Sequence, residues 1–332
     1  MMESRRLVIV GILAASIYGT TYQQFRHFNL SDPRGANDSA SYIRMSHGDY
    51  QVTAVHRYRF MVPVLAGALR PLVQRFVHDP GEQDRVSFYV VNFGCTLAAS
   101  WLLLLLLDHL GFSIQSSLLG TFMFVTSRIT ILVTGTPLVD APYLAAGVMI
   151  VYLTFTRRVW CLILILPLLV LVKEQVLLVA FVPLLVPAFR RISYAVSLIT
   201  SVTLLHLSRS YIDRIAGIGL GGWQPAQSLF ELVMNHIKFA GDNALHLFTS
   251  FSGLHSLQNG YSLFLLFAGL GFFTNRRTKF MPDSPVLFSL VPISLLFAVL
   301  SGNGGRMIFL AFPIVIPYAL IFIQDVLKFP TG

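Results

Sequence analysis

The chain has 332 residues, 55% hydrophobic and 12% charged, with a formal charge of +9. A soluble globular protein carries roughly 25% charged residues, so these numbers exclude a soluble domain and point to an integral membrane protein. The basic excess falls as short pairs beside apolar runs, as orientation signals do, which argues against a nucleic-acid partner. Strand alternation is absent, so helices rather than a barrel are expected to cross the bilayer.

Ser4-Arg5-Arg6 precedes an apolar run, Leu7 to Tyr18. Ala14-Ala15-Ser16 is loosely compatible with a signal-peptide cleavage site, but an uncleaved first helix with a cytoplasmic N-terminus is preferred. The first long polar interval follows, Ser31 to Arg59, with Asp32, Asp38 and Asp49 beside Arg34, Arg44, Arg57 and Arg59. Loops on a rigid scaffold are where chemistry tends to sit. Phe60 to Val77 is broken by Pro63, Arg70, Pro71 and Arg75, so it reads as an amphipathic helix on the outer face.

Further spans are expected at Val86–Leu107, Ser117–Thr134, Tyr143–Phe155, Val159–Val172, Gln175–Phe189 and Ser193–Leu207. After the polar interval 208–259 they continue at Tyr261–Phe273, Val286–Leu300 and Met307–Ile323. The expected fold is all-α: one integral domain over 1–332, a transmembrane bundle of about ten spans with surface helices in the first outer loop. Arg157-Arg158, Arg190-Arg191, Arg276-Arg277-Lys279 and Lys328 then share one side, and both termini are cytoplasmic. The opposite face carries loops 24–85 and 208–259, the candidate active-site loops. No internal repeat is visible, which weighs against a transporter.

On spacing alone Asn37 or Asp38 reads as a cap for a short helix running to Met45. Asp140, between Pro137 and Pro142, also suits a helix N-terminus. An acid at the lip of a membrane is nonetheless a functional candidate, and Arg128, inside a span, needs a counter-ion that Asp140 or Asp38 could supply. Lys173-Glu174 interrupts two apolar runs, and snorkelling to the interface accounts for its position. Gly302-Asn303-Gly304-Gly305-Arg306 joins glycines to the side chain best shaped to grip phosphate, without the ending of a nucleotide-binding loop. His236, His246 and His255 have no tight metal-ligand spacing, Cys95 and Cys161 lie inside apolar segments, and a divalent cation is not supported by ligand spacing. Phe230–Phe251 reads as an amphipathic surface helix pair.

Taken together, Asp38-Ser39-Ala40-Ser41-Tyr42, Arg57-Tyr58-Arg59-Phe60 leading to Pro63, Thr136 to Pro142, Lys173-Glu174 and Arg306 resemble polytopic glycosyltransferases of the GT-C superfamily. The resemblance covers most of the chain in layout and few residues in identity. It implies transfer of a sugar from a polyprenyl-phosphate-linked donor on the non-cytoplasmic face, with membrane lipid and the lipid-linked donor as partners. It implies Asp38 as catalytic base and Asp140 as a second acid of the site. It implies Arg306 or Lys173 on the donor phosphate, with Glu174, Arg128, Arg57, Arg59 and Tyr42 as further substrate contacts. The chain is short for the superfamily, lacks a large C-terminal outer domain and shows no paired Asp-Glu in its first loop, so a protein partner stays open. The competing readings are a lipid or solute transporter or flippase, and a non-catalytic membrane subunit of a larger complex.

Overall fold

The computed structural model describes residues 2–28, 36–218, 229–261, 263–278, 285–301 and 304–327, and its regular elements are all helices, with no strand among the described residues. In chain order these begin with α1 (Met2–His27), α2 (Ala36–Ser46), α3 (Ala54–Arg57), α4 (Met61–Val73) and α5 (Pro80–His109). They continue with α6 (Ile114–Val125), α7 (Arg128–Gly135), α8 (Asp140–Phe155), α9 (Val159–Val172) and α10 (Val176–Val179). Two 3-10 turns, Val182–Leu185 and Pro187–Phe189, lead to α11 (Ile192–Ile215). The last helices are α12 (Leu229–Thr249), α13 (Phe251–Tyr261), α14 (Leu263–Thr278), α15 (Pro285–Ser301), α16 (Gly304–Ile308) and α17 (Phe312–Leu327). Asp32, Arg34, Gly302, Asn303, Lys279 and Lys328 lie outside the described residues.

The chain divides into two compact units, Met1–Leu102 with Thr130–Gly222, and Leu103–Ile129 with Trp223–Gly332. In the first unit a core forms from Tyr42 and Met45 of α2, Val62 and Ala66 of α4, Phe88 and Val91 of α5, and Leu138 and Val139 ahead of α8. The sequence of α2 explains its part in this. Ser39, Tyr42 and Met45 recur at helical spacing and are buried, while Asp38 in the first turn and Arg44 in the last suit the helix dipole. Gly67 is what lets α4 approach: a Cβ there would meet the Ser46 carbonyl oxygen at 2.5 Å. In the second unit α14 and α17 are similarly close, since a Cβ on Gly271 would collide with the backbone carbonyl of Tyr318. Phe272, Phe288 and Tyr318 pack there as a ring cluster.

Polar side chains inside the first unit hold the chain just before α8. Asn92 of α5 is wholly buried and donates to the carbonyls of Thr136 (3.0 Å) and Leu138 (3.1 Å). Thr96 and Thr134 share a hydrogen bond of 2.7 Å one turn along α5. An Asn92→Leu substitution leaves two buried carbonyls without their donor, each worth about 1–3 kcal/mol. Unfolding in detergent is expected to register a loss of about 2–4 kcal/mol, with the start of α8 displaced.

The apolar segments form helices, but not about ten membrane-length ones. By length and composition α5 and the stretch Arg306–Val326 could each cross a membrane, and a third span results if α6 and α7, bent by 59°, count as one. The apolar run at Ser117–Thr134 is therefore interrupted at Thr126–Ser127. The run at Gln175–Phe189 is not one helix but a short helix and two 3-10 turns, because Pro183 and Pro187 cannot donate to a helical ladder. Helix α9 has the expected bounds, yet 14 residues rise only about 21 Å, against a hydrocarbon core of about 30 Å. Helix α11 runs past its expected end, so its last two turns carry the start of the polar interval. A helix pair is present in that interval, but Phe230–Phe251 is not itself the pair: α12 runs unbroken over Leu229–Thr249 and packs on α13, which begins at Phe251.

Candidate functional site

The charged residues of the first unit converge. Asp38 on α2 lies 3.0 Å, Oδ1 to Nε2, from His56 on α3. Asp140, the first residue of α8, accepts from Lys173 Nζ at 2.7 Å. Both partners are buried, the Lys173 side chain to 1% exposure and that of Asp140 to 7%. Snorkelling therefore does not describe Lys173. Helix α9 stops at Val172, and Lys173 takes extended backbone angles (φ −162, ψ 136) that turn its side chain inward. Its ammonium also stands 4.8 Å from the centre of the Tyr143 ring, where a desolvated cation gains from the ring face.

Glu174, the next residue, accepts from Arg59 Nη2 at 2.7 Å and faces Arg209 Nη2 of α11 at 3.8 Å. Burial opposes the charge on Glu174, but Arg59 outweighs it and holds the carboxyl below its ordinary range. Burial likewise works against the Arg59 charge, and Glu174 more than offsets it. Arg57 pairs with Asp213 of α11 at 2.9 Å, both side chains almost fully buried. Tyr58 donates to the other oxygen of Asp213 at 2.9 Å. The Tyr58 ring also lies beneath two guanidinium groups, Arg57 at 5.4 Å and Arg209 at 4.8 Å from its centre.

Tyr42 ties these pairs together. It is 1% exposed and its hydroxyl is engaged by Arg59. Burial raises its pKa, Arg59 opposes the rise, and Asp140 and Asp38 both add to it. Two acids far apart in the chain thus act on one buried hydroxyl in one unit. A cluster with four acids, three arginines, a lysine and a histidine is costly to desolvate. It can bind an anion, orient hydroxyl groups and accept a proton at a carboxylate or imidazole.

Of the residues singled out from sequence, Asp38, Asp140, Lys173, Glu174, Arg57, Arg59 and Tyr42 all belong to the first unit. Arg128, at the start of α7, and Arg306, in α16, belong to the second. The sequence reading missed His56, Tyr58, Asp213 and Tyr143, and did not place Arg209 in the site. Arg209 and Asp213 did leave a signal: they are four residues apart, which puts them on one face of α11. Among the described residues no group of three or more His, Cys, Asp or Glu could hold a metal ion.

Comparison of the chain with protein-family models, with curated proteins and with solved structures finds no match.

Proposed function

We propose that this chain is a membrane glycosyltransferase that moves a sugar from a lipid-phosphate-linked donor to an acceptor hydroxyl on the non-cytoplasmic face. The observation that carries the reading is the convergence in one unit of the ion pairs Asp38–His56, Asp140–Lys173 and Glu174–Arg59. In this reading the Asp38–His56 pair takes the proton of the acceptor hydroxyl, whose oxygen attacks the anomeric carbon. The bond from that carbon to the phosphate oxygen breaks, and the electron pair leaves with the phosphate. Arg59 and Arg209 receive the developing negative charge, and Lys173 holds Asp140 in place.

The same reading places the chain across a membrane several times. Beyond the two or three helices of full length, α8, α9, α14, α15 and the stretch Val176–Leu185 are apolar and shorter, and with the bilayer thinned around them they complete the bundle, while α4 lies on the outer face. Support comes from large apolar side chains turned outward, such as Trp160, Leu164 and Leu168 on α9 and Ile192, Val196 and Ile199 on α11. Arg157-Arg158 and Arg190-Arg191 fall at the turns before α9 and α11, as cytoplasmic turns require, which puts both termini inside.

The test is sugar transfer by the purified chain in lipid nanodiscs, supplied with a panel of polyprenyl-phosphate sugars. Asp38→Asn is expected to lower kcat by about 10²–10⁴-fold, the usual weight of a general base. Unchanged turnover in that variant removes Asp38 from the chemistry. Absence of transfer from every donor in the panel, by folded wild-type protein, counts against the reading as a whole.

A further inference from the structure

We infer that Glu174 is a specificity-determining residue: its carboxylate holds, between Arg59 and Arg209, the place that a ligand's phosphoryl group takes on binding. The inference rests on the proposal that sugar transfer at this site leaves a lipid phosphomonoester behind, and it concerns the binding of that doubly charged group rather than of the singly charged phosphodiester donor.

The geometry is that of a site only half satisfied. Glu174 Oε1 accepts from Arg59 at 2.7 Å, whereas Oε2 stands 3.8 Å from Arg209, within ion-pair range but beyond a hydrogen bond. Glu174 Oε2, Arg59 Nε, Arg209 Nε and Gln175 Oε1 are all buried atoms without a hydrogen-bond partner. Such atoms are few in a finished protein interior, and the three on Glu174, Arg59 and Arg209, which face one another, mark a place built for polar company. A carboxylate has two oxygens and one negative charge. It can satisfy one guanidinium well and reaches the second badly. A phosphomonoester carries nearly two charges and three terminal oxygens, enough to engage both arginines, and the phosphodiester donor becomes one only as its sugar leaves.

Exposure explains why Glu174, of the four acids, is the one that exchanges. Its side chain is 31% exposed and that of Arg209 is 33% exposed, so a path to solvent lies on this side. Asp140 and Asp213 are sealed with their partners, at 7% and 4%. Asp38 is open at 35% but faces a histidine rather than two arginines. Glu174 can therefore turn outward as the ligand enters, and the released carboxylate recovers its hydration. A ligand with a single carboxylate gains nothing over Glu174 itself and is refused. The site thus selects for a doubly charged phosphoryl group by making it displace an internal anion.

The experiment uses the full chain in nanodiscs of zwitterionic lipid, titrated with phenyl phosphate and, separately, benzoate, with binding read by calorimetry. Wild type is expected to bind phenyl phosphate and to refuse benzoate. Glu174→Gln is expected to bind phenyl phosphate at least about tenfold tighter and to acquire benzoate binding. Arg209→Gln is expected to lose phenyl phosphate affinity by more than about tenfold. Should Glu174→Gln fold poorly with Arg59 unpaired, Glu174→Asp serves instead, since its shorter reach frees Arg209 and is expected to tighten phosphate binding by a smaller factor. Equal affinity of wild type for the two ligands, or phosphate affinity unchanged or weaker in the folded Glu174 variants, overturns the inference. The two proposals fail separately. The binding pattern without sugar transfer leaves the anion exchange standing and removes the transferase. Asp38-dependent transfer without the pattern does the reverse.

Discussion

Lys173→Met is expected to destabilise the first unit by about 3–5 kcal/mol, because it removes the cation facing a carboxylate that is itself out of water. The Nζ to Oδ1 distance is 2.7 Å and the two side chains are 1% and 7% exposed, so solvent cannot replace the lost partner without local opening. The pair was costly to bury in the first place, which makes the whole pair nearly neutral relative to apolar packing but each half indispensable to the other. A second substitution tests that logic. Asp140→Asn in the Lys173→Met background removes the stranded charge while keeping the side-chain shape, and should recover most of the loss. Unfolding in detergent, followed by denaturant or heat, gives both numbers. A single-variant loss under about 1 kcal/mol, the range of an exposed ion pair, would contradict the burial. The consequence for the site follows from position: Asp140 begins α8 and acts on Tyr42, so a variant that frees Asp140 disturbs the proposed chemistry before it unfolds the chain.

Lys173 also shows where sequence reading reaches and where it stops. The bounds of α9 are visible in the chain, since an unbroken apolar run begins after Arg158 and ends before a charge. The direction of that charge is not. Hydrophobic pattern reports which residues avoid water, and a lysine at the end of an apolar run satisfies it equally by reaching outward or by turning into a buried pair. The extended backbone at Lys173 decides between them, and it comes from packing rather than from local preference. The run from Gln175 to Phe189 illustrates a second limit. Its composition is that of a span, but composition describes environment and not hydrogen bonding, and the prolines at 183 and 187 divide it into turns. The acid at 140 could be chosen from sequence because unpaired charge at a membrane lip is costly, whereas the acid at 38 is singled out only by the resemblance. Their common neighbour Tyr42 was suggested by its place beside Asp38, whereas the partners His56 and Asp213 depend on contacts between distant elements that no local pattern encodes. Asn92 is the sharpest case: one amide in an apolar helix fixes the turn before Asp140, and nothing around it in the chain reveals what it holds.

Asp213→Ala is expected to cost about 3–5 kcal/mol and to loosen α11 from the segment that carries the arginines. Asp213 has two ties, an ion pair to Arg57 at 2.9 Å and a hydrogen bond from Tyr58 at 2.9 Å. Truncation leaves the Arg57 guanidinium buried, with its Nη1 donating to the Val52 carbonyl at 3.0 Å and its charge uncompensated by Asp213. Asp213→Asn separates the two ties. An amide oxygen can still accept from Tyr58, so its loss should be smaller than that of alanine, and the difference measures what the hydroxyl contributes. Arg209 lies one turn earlier on the same helix, over the face of Tyr58 and opposite Glu174. Loosening Tyr58 therefore shifts one of the two arginines proposed to hold phosphate. The expected signature is a fall in phosphate-ester affinity in Asp213→Ala that exceeds its fall in stability and is largely spared in Asp213→Asn, because a displaced guanidinium loses ligand contacts before the helix detaches. If stability and affinity fall together in Asp213→Ala, or if alanine and asparagine cost the same, then Asp213 acts only as the counter-ion of Arg57 and the link through Tyr58 to the anion site is absent.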